Sequence, residues 1–194
     1  MTERPPRPSY RDRPWLDRLS EAQRGPVAPP PSLLYAFLGA VRRVPDRHAL
    51  AYFDGRLTYR ETDELSGALA GRLAARGFRP GDRAAVALQN TPQLVLAVLA
   101  VWRAGGIVVP VNPMLRADEV AHVLRDAEVS ALVCADHAWE EFLRETAAGT
   151  SVRTVLTVHE ADLQTRNDER VLRGPRPAPA RDAEDLLAAA RSGA

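Results

Sequence analysis

His137, Glu140 and Glu141 stand three and four residues apart in a stretch that reads as helical. On one helix face that spacing can bring an imidazole and a carboxylate to a metal ion. The same residues are explained without a metal, since acidic side chains are favoured in a first helical turn. His48, His122 and His159 have no ligand-like neighbours at useful spacing. The single cysteine, Cys134, ends an apolar run and reads as a buried core thiol. One cysteine excludes an internal disulfide framework and a cysteine-based zinc cluster. Asp182, Glu184 and Asp185 read as a solvated helix start, and no Ser-His-Asp or paired-carboxylate spacing is evident.

Two further segments follow apolar runs: QNTPQ at 89–93 and PVNPM at 110–114. A helix starting at Pro92 can offer backbone N–H groups to an anion, but proline removes one donor and no glycine loop precedes it. A capped turn explains the first segment, with Thr91 at the cap, and a rigid proline turn explains the second. Neither G-x-G-x-x-G nor G-x-x-x-x-G-K-[ST] occurs. All 26 basic residues are arginine. Chemistry that needs a lysine ammonium, as a Schiff base or a phosphate contact, is therefore closed to this chain alone.

The elements that must position these residues follow from periodicity and punctuation. Ser32 can cap a helix carrying Leu33, Leu34, Phe37, Leu38 and Val41. Asp54-Gly55, between two short apolar runs, predicts a two-residue hairpin loop. Thr58 and Glu61 have capping-box spacing, so a helix should start near Tyr59, bury Leu65, Leu69 and Leu73, and end at Gly77. Strands are predicted at 84–88, 107–111, 130–134 and 152–158. Between them lie a mostly apolar helix from Pro92 to Gly105-Gly106, an amphipathic one with Val120, Val123 and Leu124 inward, and one capped by Asp136. This alternation predicts an α/β fold with a parallel sheet covered by helices, whose ligand position lies beyond the carboxyl ends of the strands.

Half of the 16 prolines fall in residues 1–31, which read as an irregular Pro/Arg-rich arm that Trp15 and Leu16 can pin to the body. Residues 32–160 form the body. Residues 161–194 read as a linker, running from about Asp162 to Arg181, and a short helix with Leu186 and Leu187 on one side. The net charge of +1 gives no electrostatic case for nucleic acid. No apolar run approaches the roughly 20 residues of a membrane span and no signal-peptide pattern opens the chain, so the expected location is the cytoplasm.

The ordered set GRLTYRETDELSGALAGRLAARGFRPGDRAAVALQN and LAVLAVWRAGGIVVPVNP resembles the N-terminal region of the AMP-forming adenylate-forming enzymes. These include acyl-CoA ligases, firefly-type luciferases and the adenylation domains of peptide synthetases. The matching positions are Leu57-Thr58-Tyr59, Gly81-Asp82-Arg83, Asn90, Ala104-Gly105-Gly106, Pro110, Asn112 and Pro113. The continuation NPMLRADEVAHVLRDAE looks most like fatty-acyl and medium-to-long-chain acyl-CoA ligases. The likeness runs from about Ser32 to Val158.

The resemblance implies carboxylate activation. ATP and Mg²⁺ give an acyl-adenylate and pyrophosphate, and CoA then forms a thioester. It also implies a Gly/Ser/Thr-rich loop ending in Pro-Lys-Gly, a later Tyr-Gly-x-Thr-Glu-like motif and a catalytic lysine, none of which this sequence contains. The matched residues are scaffold and turn positions, and none is assigned a catalytic, cofactor-binding or metal-binding role. The expectation is the first part of such a ligase, inactive alone, with ATP, Mg²⁺ and CoA belonging to the intact enzyme. Its partner is then the missing C-terminal portion. The alternatives are one half of a split enzyme, a non-catalytic binding module that self-associates through exposed apolar surface, and an inactive remnant.

Overall fold

A computed structural model describes residues 13–24, 32–166 and 180–192. Punctuation residues set most of the helix boundaries. Pro14–Arg18 forms a 3₁₀ turn with proline at its start, and α1 (Glu21–Arg24) is a single helical turn. Within the described arm residues, the two short helical turns are separated by Leu19 and Ser20. The remaining arm residues, and residues 167–179 of the expected linker, lie outside the described residues.

Ser32 caps α2 (Leu33–Arg43), its hydroxyl accepting the Tyr35 N–H at 3.0 Å. The capping box of Thr58 and Glu61 starts α3 (Tyr59–Ala75), with the Thr58 N–H donating to Glu61 at 2.7 Å. Gly77, at φ 82°, ends it: the Gly77 N–H reaches the Ala74 carbonyl and the Phe78 N–H reaches Leu73. Gly105 and Gly106 end α4 (Pro92–Arg103) by the same double bond pattern onto Trp102 and Val101. A Cβ on Gly106 would stand 2.4 Å from the Phe78 ring, so the turn after α3 and the turn after α4 meet only because glycine occupies that point.

The hairpin differs from its expected register by one residue. β1 (His48–Tyr52) and β2 (Gly55–Thr58) pair Tyr52 with Gly55, so Phe53 and Asp54 make the loop, Phe53 at φ 49°. Tertiary contact decides this. A Cβ on Gly55 would lie 1.8 Å from the Leu163 carbonyl oxygen, and Asp54 accepts hydrogen bonds from the Thr165 hydroxyl and from the N–H groups of Thr165 and Arg166. These bonds, the Thr165 hydroxyl first, hold the Asp54 carboxyl below its usual range.

The remaining strands are β3 (Arg83–Ala87), β4 (Ile107–Pro110), β5 (Ala131–Ala135), β6 (Thr154–Val158) and β7 (Glu184–Asp185). All pair in parallel, in the order β4-β3-β5-β6-β7. The two faces of the sheet separate along each strand. Ala84 and Val86 of β3 pack with Leu69 and Leu73 of α3, Leu96 and Val101 of α4, and Leu186 of the last helix, α8 (Leu186–Ser192). Ala85 and Ala87 pack with Val120 and Leu124 of α5 (Ala117–Asp126), and with Trp139 and Leu143. The latter two belong to a continuous helical segment made of α6 (Asp136–Ala138), a π turn (Trp139–Leu143) and α7 (Arg144–Ala147). Helices cover both faces, as a parallel sheet requires. Leu69 and Leu124 are each fully buried, worth about 1.5–3 kcal/mol apiece by area removed from water.

Of Asp182, Glu184 and Asp185, only Asp185 stands at the helix start, and Glu184 is not solvated. Glu184 is bound by Arg72 and Arg76 of the α3 end, Asp185 accepts the Ala188 N–H, and the Glu184–Asp185 pair adds the fifth strand. The helix therefore begins at Leu186, with Leu186 and Leu187 buried. At the other edge, Ile107 and Val111 turn their N–H groups toward β3, onto Asp82 and Val86. By the two-residue alternation of a strand, Pro110 falls at an outward-facing position where its missing N–H costs no ladder bond.

Candidate functional site

The chain leaves β3 for β4 in one direction and returns past β3 to reach β5. The reversal between β3 and β5 is the switch point at which open parallel sheets hold ligands. The residues following β3, β4, β5 and β6 converge there around a cavity of about 110 Å³. Its floor is Ala87, Val120, Phe142 and Leu143, and its polar rim is Gln89, Asn112, His137 and Glu160.

The rim groups are set by local turns. The Asn112 side-chain oxygen accepts the Met114 N–H at 3.0 Å, and the Asn112 carbonyl accepts from Leu115. This turn carries the chain from β4 toward α5. Asp136 is the first helical residue rather than the cap, because the Ala135 backbone is extended. The Asp136 carboxylate accepts the His137 N–H at 2.7 Å. His137 projects to solvent, its ring 3.8 Å from Asp136. Glu160 approaches the hairpin: burial, and then the Glu160 charge, push the Tyr52 phenol up.

The start of α4 follows β3 outside the cavity lining. Thr91 occupies the cap position with extended backbone, as its sequence context predicts, yet its hydroxyl makes no cap bond and is buried without a partner. Gln93 is fully buried; its amide nitrogen donates to the His159 carbonyl at 3.1 Å, and its amide oxygen is unpaired. Loops after the first and fourth strands of the chain's βα series are thus joined through one side chain. Sequence reading missed this role for Gln93. The only signal was a polar residue inside an otherwise apolar helix.

The remaining candidates are scattered or committed. Glu140 pairs with Arg144, and the π turn over Trp139–Leu143 breaks the α-helical spacing on which a His137–Glu140–Glu141 metal site depends. Among the described residues no group of three His, Cys, Asp or Glu is placed to hold a metal. Burial, and secondarily the Asp136 charge, push the Cys134 thiol far above its ordinary range, so it is inert as a nucleophile. The His159 ring accepts the Ala161 N–H, which makes it part of a turn.

The resemblance implies ATP, Mg²⁺ and CoA, and the lining of the switch-point cavity does not fit the nucleotide. A cavity of about 150 Å³ takes one benzene ring, so one of about 110 Å³ has no room for a nucleotide. Its lining contains one carboxylate, Glu160, and no arginine. Phosphoryl chemistry needs cationic or N–H donors aimed at the transferring group.

The sequence model of the AMP-binding enzyme family matches residues 37–189. The long-chain-fatty-acid–CoA ligase of Bacillus subtilis is 36% identical over 127 residues, 64% of this chain and 22% of that protein. The phosphinothricin tripeptide synthetase PhsC of Streptomyces viridochromogenes is 36% identical over 122 residues, 63% of this chain and 11% of that protein. The crystal structure of the anthranilate CoA ligase AuaEII, in complex with anthranoyl-AMP, superposes with a TM-score of 0.67 at 15% identity. It covers 89% of this chain and 30% of that one, a likeness of fold. The chain spans less than a quarter of the length of these two relatives. By its sequence from residue 37 to 189 and by its parallel sheet, this chain belongs to the AMP-binding enzyme family.

Proposed function

We propose that this chain is the N-terminal part of an ATP-dependent, AMP-forming acyl-CoA ligase, inactive until the rest of the enzyme joins it. The observation that carries the reading is the cavity at the switch point. The loops that assemble it include the matched motif positions of 112–113, yet it is too small for a nucleotide and has no guanidinium to meet a phosphate. Similarity to a fatty-acid–CoA ligase supports an acyl substrate. The partner is then the C-terminal remainder, supplying the phosphate loop and catalytic lysine, and the compartment is the cytoplasm. Among the described residues no helix is long and apolar enough to cross a membrane.

ATP–pyrophosphate exchange tests this directly. The purified chain is expected to give no exchange with palmitate. Exchange is expected once the chain is joined to the coding sequence found downstream of Ala194, if that sequence carries a Pro-Lys-Gly loop. Exchange by the chain alone with any carboxylate would overturn the proposal.

Similarity to a tripeptide synthetase at the same identity favours a second reading, an amino-acid-activating domain. The joined protein distinguishes them, since exchange with an amino acid and none with palmitate selects the second.

A further inference from the structure

A second cavity, of about 240 Å³, opens at the opposite, amino-terminal end of the sheet. Three arginines line it: Arg76 at the end of α3, Arg153 just before β6, and Arg181 just before β7. Two carboxylates, Asp182 and Glu184, share the wall. Both are already occupied. Glu184 is held by Arg72 at 2.6 Å and by Arg76. Asp182 accepts from the Arg144 guanidinium at 3.0 Å and from the Trp139 indole N–H at 3.3 Å. The opposite balance holds for the cations. Arg153 meets a carboxylate, Asp82, only at 3.4 Å, and no carboxylate among the described residues lies within ion-pair distance of Arg181. The cavity therefore presents two guanidinium groups with unused donors above carboxylates that are already neutralised.

We infer that this cavity is a binding site for a small phosphate-class oxyanion, gripped by Arg153 and Arg181. Guanidinium forks match phosphoryl oxygens two by two, and charge-assisted bonds of this kind are about twice as strong as neutral ones. Size limits the ligand. Pockets for drug-sized ligands begin at about 300 Å³, so 240 Å³ takes a phosphate or pyrophosphate group and not a complete nucleotide. The site lies at the far end of the strands from the switch-point cavity and is independent of any reading of it.

Calorimetric titration of the whole chain in chloride buffer tests the site, with inorganic phosphate, pyrophosphate and glycerol 3-phosphate as probes. Saturable binding of pyrophosphate at one site is expected. The Arg153→Gln/Arg181→Gln variant is expected to weaken it by roughly tenfold or more. The Arg166→Gln control, an exposed arginine beside Asp54 of the hairpin loop and outside the cavity lining, is expected to bind as the parent does. The single variants Arg153→Gln and Arg181→Gln, both at exposed side chains, keep the comparison readable if the double variant fails to fold. Tighter binding of glycerol 3-phosphate than of phosphate assigns the site to the end of an organic phosphate, and the reverse assigns it to the free ion. Absence of saturable binding, or equal loss in Arg166→Gln, overturns the inference.

Discussion

The Gln93 side-chain amide donates to the His159 carbonyl at 3.1 Å from a fully buried position, 66 residues away in sequence. Its oxygen has no donor to meet. Replacing the amide by a carboxyl sharpens that imbalance. At pH 8, Gln93→Glu sets a buried anion beside an acceptor, and the expected loss is about 3 kcal/mol or more by urea denaturation. Burial raises the folded-state pKa of such a carboxyl above its unfolded value. The variant should therefore regain stability as pH falls toward 4 and lose it as pH rises through the folded pKa. A loss independent of pH would refute this account.

Gly55 and Gly106 are both filled space, with different neighbours. Gly106→Ala drives a methyl into the Phe78 ring, which can tilt, and is expected to cost about 1–3 kcal/mol. Gly55→Ala meets the Leu163 backbone carbonyl, which cannot rotate aside, so the 159–166 segment must move. Faster amide hydrogen exchange at Thr165 and Arg166 in Gly55→Ala, but not in Gly106→Ala, is the expected signature.

The Thr58–Glu61 box predicts a pH effect at the start of α3. Bonds from the Thr58 N–H and then its hydroxyl lower the Glu61 carboxyl below its ordinary range. A depressed folded-state pKa contributes stability above the unfolded value, lost as pH falls through the folded one. Thr58→Ala should cost about 1 kcal/mol at pH 7, and that difference from the parent should shrink in acid. Thermal melts at pH 7 and pH 3 measure it.

Cys134 gives the simplest test of core integrity. The thiol is fully buried on the face shared with Trp139 and Leu143. Reaction with a colorimetric thiol reagent should be slow in the native protein and immediate in denaturant. Fast native labelling would show that the α5 side of the sheet opens readily.

Elements defined by their own residues were legible in sequence. The Thr58–Glu61 box, Gly77, Gly105-Gly106 and the apolar run of α4 each fix local geometry through nearby hydrogen bonds or sterics. The parallel strands followed from their alternation with helices. Contacts between distant segments decided the rest. The loop shift to Phe53 and Asp54 depends on Leu163 and Thr165, and β7 exists because Glu184 finds Arg72 and Arg76. At the switch point, sequence located the loops but not the Gln93–His159 link. The arginine cavity joins residues near 76, 153 and 181, a grouping that no local pattern encodes.

Pro110 has one consequence beyond its own turn. The exposed Ile107 at the other end of β4 would make this strand adhesive to other chains. A strand arriving there finds a gap where a proline ring replaces a donor, so the ladder cannot propagate through that point. At this border the sheet thus withholds one hydrogen-bond donor from any added strand, by the covalent structure of a single residue.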